Sequence, residues 1–248
     1  MNGVLRLTSI ALLLVAWSVG AHLVGPRLLP GPQAVGLAMI HEARTGALGF
    51  NLGVTLLRVA AAFTIAMVLG TVLGLAMGRA PTFDRLADPW LVVLLNLPAL
   101  VIIVLAYIWA GLTETAAIAA VALNKLPLTT VTVREGARAL DRTLDEMAAV
   151  FGMGRWARLR HVVLPQLAPY VAAAARSGLS LVWKIVLIVE LLGRPNGVGF
   201  EIGVAFQLFD VTRILAYAVS FVIVMLAIET FLVQPLEQYA TRWRARPA

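Results

Sequence analysis

Apolar runs of about 20 residues constrain this chain more than any other feature. In hydrocarbon the backbone has no water to bond, so a segment must satisfy its own N–H and C=O groups as a helix or within a closed barrel. A barrel strand alternates polar and apolar residues over about ten positions. The runs here are continuous, and at the helical rise about 20 residues cross some 30 Å. They fall at about 4–24, 52–77, 90–110, 116–133, 170–192 and 214–232, which predicts an all-α polytopic membrane protein of about six spans. Composition agrees: 60% of residues are hydrophobic and 13% charged, too few polar groups to coat a soluble domain of 248 residues. The whole chain, 1–248, reads as a single transmembrane domain. Ser18 and Gly20 give the first run a faint resemblance to a cleaved leader, but its length favours a retained span.

The net charge of +7 is explained by topology rather than by nucleic acid. Much of the arginine sits at Arg79 and Arg85, between Arg134 and Arg160, and at Arg242, Arg244 and Arg246. All of these lie between alternate spans or after the last. The intervening segments hold fewer, along with Glu42, Glu114, Glu201 and Asp210. Basic loops face the cytoplasm, so both termini are expected there. With no Cys there is no disulfide or thiolate site, and His22, His41 and His161 are too scattered to suggest a metal.

Punctuation divides the spans. Leu29-Pro30-Gly31-Pro32 breaks the chain before a mixed stretch at 33–50, read as a short surface helix. Gly70, Gly74 and Gly78 share one helix face and predict close approach of another helix. A short charged loop with Asp84, Arg85 and Asp88 is expected next, and Asn96 and Pro98 interrupt the third span. Asn124, Lys125 and Pro127 weaken the fourth, and the glycines between Gly193 and Gly199 suggest a loop before the sixth.

The longest polar stretch, about 134–165, contains helix formers from about Leu140 to Val150, then Gly152, a residue suited to positive φ past a helix end. A second short helix is expected, with Pro165 opening the fifth span. Its spacing is specific: Glu146, Ala148, Gly152, nine further residues to Val162, then Leu164-Pro165. This resembles the EAA loop of permeases in binding-protein-dependent ABC importers, with Met147 and Val162 as mild departures.

The resemblance covers nearly the whole chain and is nearest to the nitrate, sulfonate and taurine permeases. Leu29-Pro30, Thr55 to Val59, Asp88-Pro89, Leu97-Pro98, Trp109 to Gly111 and Val189-Glu190-Leu191 carry it, whereas Ala99 and Val104 stand where relatives often have proline. It implies a cytoplasmic coupling helix, formed around Glu146, Ala148, Gly152, Val162, Leu164 and Pro165, that docks on a separate ATPase. The implied partners are two ABC ATPase subunits, a second permease copy, an extracytoplasmic solute-binding protein and lipid. No phosphate-binding loop is present in this chain, so ATP and Mg would be held by the ATPase partner.

Ionisable residues inside spans by default suggest a pathway or an internal pair. Arg58 and Glu190 lie near span limits and are read as able to reach an interface, and Arg176 as able to reach the headgroups. Lys184, at mid-span, is read as held within the bundle in preference to touching solute. Asn96, Pro98 and Lys184 are the candidate pathway residues, and a small organic anion is the expected cargo. Two rivals predict other features. A gradient-driven transporter would show an inverted repeat, and a membrane enzyme would show clustered His, Asp or Ser at one depth. Neither pattern is seen in the sequence.

Overall fold

The computed structural model describes residues 2–235, and the described part is helical throughout. In chain order the helices are α1 (Asn2–Val24), α2 (Pro32–Arg44), α3 (Ala47–Arg79), α4 (Pro81–Asn96), α5 (Ala99–Ala110), α6 (Glu114–Arg138), α7 (Arg142–Val150), α8 (Arg155–Arg158), α9 (Leu164–Gly193), α10 (Val198–Gln207) and α11 (Val211–Ile228). The basic tail with Arg242, Arg244 and Arg246 lies outside the described residues.

Four helical stretches are long and apolar enough to span a membrane: Ala47–Arg79, Glu114–Arg138, Arg155–Gly193 and Val211–Val233. A fifth is made of α4 and α5, bent by 98° at the break between them. The first predicted span corresponds to α1, with a shorter apolar stretch over Thr8–Val24. The bend follows from Pro98, which has no N–H and drives Leu97 before it to an extended ψ of 124°.

Three boundaries differ from the sequence expectation. The charged loop around Asp84, Arg85 and Asp88 is helical: Pro81 starts α4, where its missing N–H costs nothing. Asp84 and Asp88, one turn apart, both reach Arg134 of α6, and Asp84 also pairs with Arg138. The loop expected at the glycines after Gly193 is confined to 194–197, and α10 follows it directly. Finally, the short helix after Gly152 and the fifth span are continuous, because α8 runs through a π turn at Leu159–Val163 into α9.

That π turn has a local cause. Leu164 N donates to Leu159 O, five residues back, immediately before Pro165. A proline ring crowds the carbonyl four residues earlier, and a widened turn relieves it. The same device recurs at Glu229–Val233, where Gln234 N bonds Glu229 O just before Pro235.

Contacts gather into two compact units. One comprises the chain through Leu56 together with Glu190–Leu226, and the other Leu57–Val189 with the chain from Ala227. In the first, Trp17 Nε1 donates to Pro30 O at 3.0 Å and ties α1 to the turn before α2. In the second, the Gly70, Gly74 and Gly78 face lies on α6. A methyl group at these positions would meet Thr129, the Thr130 carbonyl with Val133, and Ala137 respectively. The stripe is a helix-packing surface. Val133 and Ala137 also form a buried core with Leu167 of α9, with Leu75 of α3 and Val171 of α9 packed against it.

Candidate functional site

The segment between α6 and α9 is closed at both ends of α7. The Asp141 side chain accepts from Thr143 N at 2.8 Å as N-cap, and Asp141 N donates to Gln166 Oε1 at 2.9 Å. At the other end Gly152 has φ +66°. Met153 N donates to Ala148 O at 2.9 Å and Gly152 N to Ala149 O at 3.0 Å, the pair of bonds of a Schellman cap. The glycine expected to stop this helix therefore does so by its left-handed backbone. A Cβ there would meet nothing within 4 Å, so the space beside it is open.

The motif residues divide between inside and outside. Ala148 is buried against its surroundings, and α7 packs on the π turn that carries buried Val163. Glu146, Leu164 and Pro165 are exposed and Val162 is half-buried. Leu144, Met147 and Phe151, spaced for one helix face, are exposed together with Val150 and Trp156. The apolar face of this amphipathic helix is thus turned outward.

Asp145 holds this helix in place. Its carboxylate accepts from Arg158 Nε at 2.8 Å and from Arg79 Nη2, at the end of α3, at 2.7 Å. The hydrogen bond from Arg158, ahead of the charge of Arg79, holds the Asp145 carboxyl below its ordinary range. Arg79, Asp145, Arg155, Arg158 and Leu159 line a cleft beside α7. The sequence contains Asp145 within the motif, but only the fold brings Arg79 to it.

The charges of the spans are arranged differently from expectation. Arg58 does not reach an interface: it is 3% exposed and makes a two-pronged pair with Glu114 through Nε and Nη2, the latter at 3.1 Å. Glu190 is fully buried as well. It accepts from Thr55 Oγ1 at 2.9 Å and from Gly199 N at 2.8 Å. Gly197 N and Val198 N are bonded to Asn51 Oδ1 and Thr55 Oγ1, so three side chains from elsewhere cap the start of α10. Arg176 lies 3.9 Å from Glu229.

Lys184 is exposed on α9, and among the described residues no hydrogen bond or ion pair holds it. The partner expected for it inside the bundle is not present among the described residues. The enclosed lysine is Lys125, which sequence reasoning passed over as a blemish in the fourth span. Asn96 and Pro98 lie at the exposed elbow between α4 and α5, where Asn96 Nδ2 caps back to Val92 O at 2.8 Å. The fold does not gather Asn96, Pro98 and Lys184 into one described cluster.

Residues 66–234 match the family described as the binding-protein-dependent transport system inner membrane component. The chain is 27% identical over 236 residues to a putative aliphatic sulfonates transport permease of Bacillus subtilis, covering 94% of this chain and 85% of that protein. It is 28% identical to the taurine transport system permease of Escherichia coli, covering 95% and 88%. Among solved structures it resembles an amino acid ABC transporter with histidines, with TM-score 0.65, 21% identity, and coverage of 82% and 97%. With the matched region spanning α3 to the second π turn and taking in the whole α7 segment, the chain belongs to the binding-protein-dependent inner membrane component family and is a permease subunit of an ABC importer, not an enzyme.

Proposed function

We propose that residues 1–248 act as one permease domain, that two copies form the pathway, and that α7 is the element docked on each ATPase subunit. The observation that carries this reading is the outward apolar face of α7, Leu144, Met147 and Phe151, on a helix capped at both ends and fixed by Asp145. In this reading Glu146, Ala148 and Gly152 shape the docked helix. Val162, Leu164 and Pro165 shape the entry to α9. ATP and Mg belong to the partner, whose closure favours one arrangement of the docked helices over the other. The α7 segment and both termini face the cytoplasm, and a solute-binding protein delivers cargo on the opposite side.

The cargo in this reading is a small organic anion. The two relatives are named for aliphatic sulfonates and taurine, and Lys184 offers an exposed cation on a span. The test is Gly152→Glu in the assembled importer. The open space beside Gly152 leaves insertion intact, while the left-handed backbone costs a residue with Cβ about 1 kcal/mol or more. Weak ATPase retention, or hydrolysis unstimulated by the binding protein, is the expected result. Normal retention together with normal stimulation would show that α7 is not the docking element.

A further inference from the structure

α6 and α9 flank the α7 segment and are fastened to each other from the loop to about the middle of each helix. Nearest the loop, Asp141 N bonds Gln166, and Val133, Ala137 and Leu167 form a core. One turn on, a methyl group at Gly136 would overlap the Tyr170 ring. Deeper still, near the middle of α6, lies Lys125. It is fully buried, and its Nζ donates to the Ala174 carbonyl of α9 at 3.1 Å. Its chain lies across Gly178, where any Cβ would overlap Cε and Nζ.

This arrangement is costly twice over. An ammonium at mid-membrane is unfavourable unless it has a partner or a role, and among the described residues its partner here is one backbone carbonyl. A glycine inside a helix is less favourable than alanine, and Gly178 supplies the slot. Methionine would fill the same volume without charge. Packing alone therefore does not account for Lys125. Its burial also separates it from any solute in this conformation.

We propose that Lys125 is a positioning residue of the transport cycle. Its bond to Ala174 across Gly178 ties α9 to α6 at mid-membrane, so that displacement of the α7 segment moves both helices together and carries the Lys184 region with them. The proposal rests on α7 being the ATPase-docking element.

The chain has no Cys, so spin labels on Leu123→Cys and Leu181→Cys, in an importer assembled with cysteine-free partner subunits, report the α6–α9 separation beyond the clamp. Both positions are exposed. The complete importer is measured without nucleotide and after trapping with ATP, Mg and vanadate. In the wild-type background the distance distribution should be the same in both states. In Lys125→Met the ATPase should still co-purify, but trapping should broaden or shift the distribution. Stimulation of hydrolysis by the binding protein should fall on the order of tenfold.

Lys125→Ala with Gly178→Ala refills the slot with methyl groups and keeps the test decisive if the Met variant fails to assemble. Wild-type stimulation in this double variant would show that Lys125 only fills space, and an assembled but unstimulated complex supports the clamp. A wild-type distance that itself changes on trapping would overturn the proposal. Failure of the wild-type permease to retain ATPase through α7 would instead sink the docking reading beneath it.

Discussion

Glu190 illustrates what a single residue near a span end leaves open. Its position in the sequence suggests a side chain that reaches water, yet it is fully buried and receives Thr55 Oγ1 and Gly199 N. Gly199 N loses its acceptor if the carboxylate is removed, and an unsatisfied buried donor costs about 1–3 kcal/mol, whereas Thr55 Oγ1 keeps the Asn51 carbonyl at 3.0 Å. Glu190→Ala should therefore lower the melting temperature in detergent clearly, and Glu190→Gln much less, since one amide oxygen still accepts. Equal losses in the two would point to the charge itself. Asp145 carries the pH dependence outside the membrane. Its folded pKa lies below the unfolded value, so its contribution is full above about pH 4 and is lost as pH falls through the lower folded value. Amide exchange in α7 should be equally protected at about pH 7 and about pH 5, and should lose protection only in stronger acid. Asp145→Asn should show weaker protection without that acid step. A loss already complete at about pH 5 would contradict the low pKa of Asp145.

At the scale of elements, what was legible depended on whether the cause was local. Apolar length gave the spans, and Gly152 gave the end of α7, because caps and hydropathy act within a few residues, whereas the Asp141 cap at its start was seen only in the fold. The glycine stripe on α3 was also legible, from its period, though not its partner α6. Other elements were hidden because distant side chains stabilise them. α10 reads as a loop until Asn51, Thr55 and Glu190 are seen to cap it. The start of α4 reads as a charged loop until Arg134 and Arg138 are placed opposite Asp84 and Asp88. Lys125 looked like a defect for the same reason: its slot is made by Gly178, far along the chain. The stripe yields a direct expectation. Gly74 faces the Thr130 carbonyl and Val133 so closely that Gly74→Leu must push α3 off α6. Membrane yield of folded protein should drop several-fold, whereas Gly49→Leu, with open space beside it, should leave yield unchanged. Similar yields for both would remove the stripe from the packing that holds the fold.

At the scale of the whole molecule, the placement of arginine bears on orientation. Positive residues within about 15–20 positions of span ends hold loops on the cytoplasmic side, while acidic residues contribute little. Arg79 and Arg85 flank the junction of α3 and α4, and Arg134, Arg138, Arg142, Arg155, Arg158 and Arg160 surround α7. The opposite set, the ends near Arg44, Glu114 and Asn196, is poor in positive charge. If α7 serves an ATPase, all of the first set must face the compartment that holds ATP. The absence of Cys makes the native chain its own background for thiol mapping. Single cysteines at Thr45, Thr115 and Val211 should react with an impermeant maleimide on intact cells. Those at Phe83, Thr143 and Trp156 should react only after the membrane is opened. Thr143 and Trp156 are exposed in the fold, so failure to label them from outside would reflect the membrane rather than burial. Labelling of Thr143→Cys from outside would place α7 on the wrong side for any ATP-binding partner. It would remove the docking reading and leave the apolar face of Leu144, Met147 and Phe151 to be explained by contact with something extracytoplasmic.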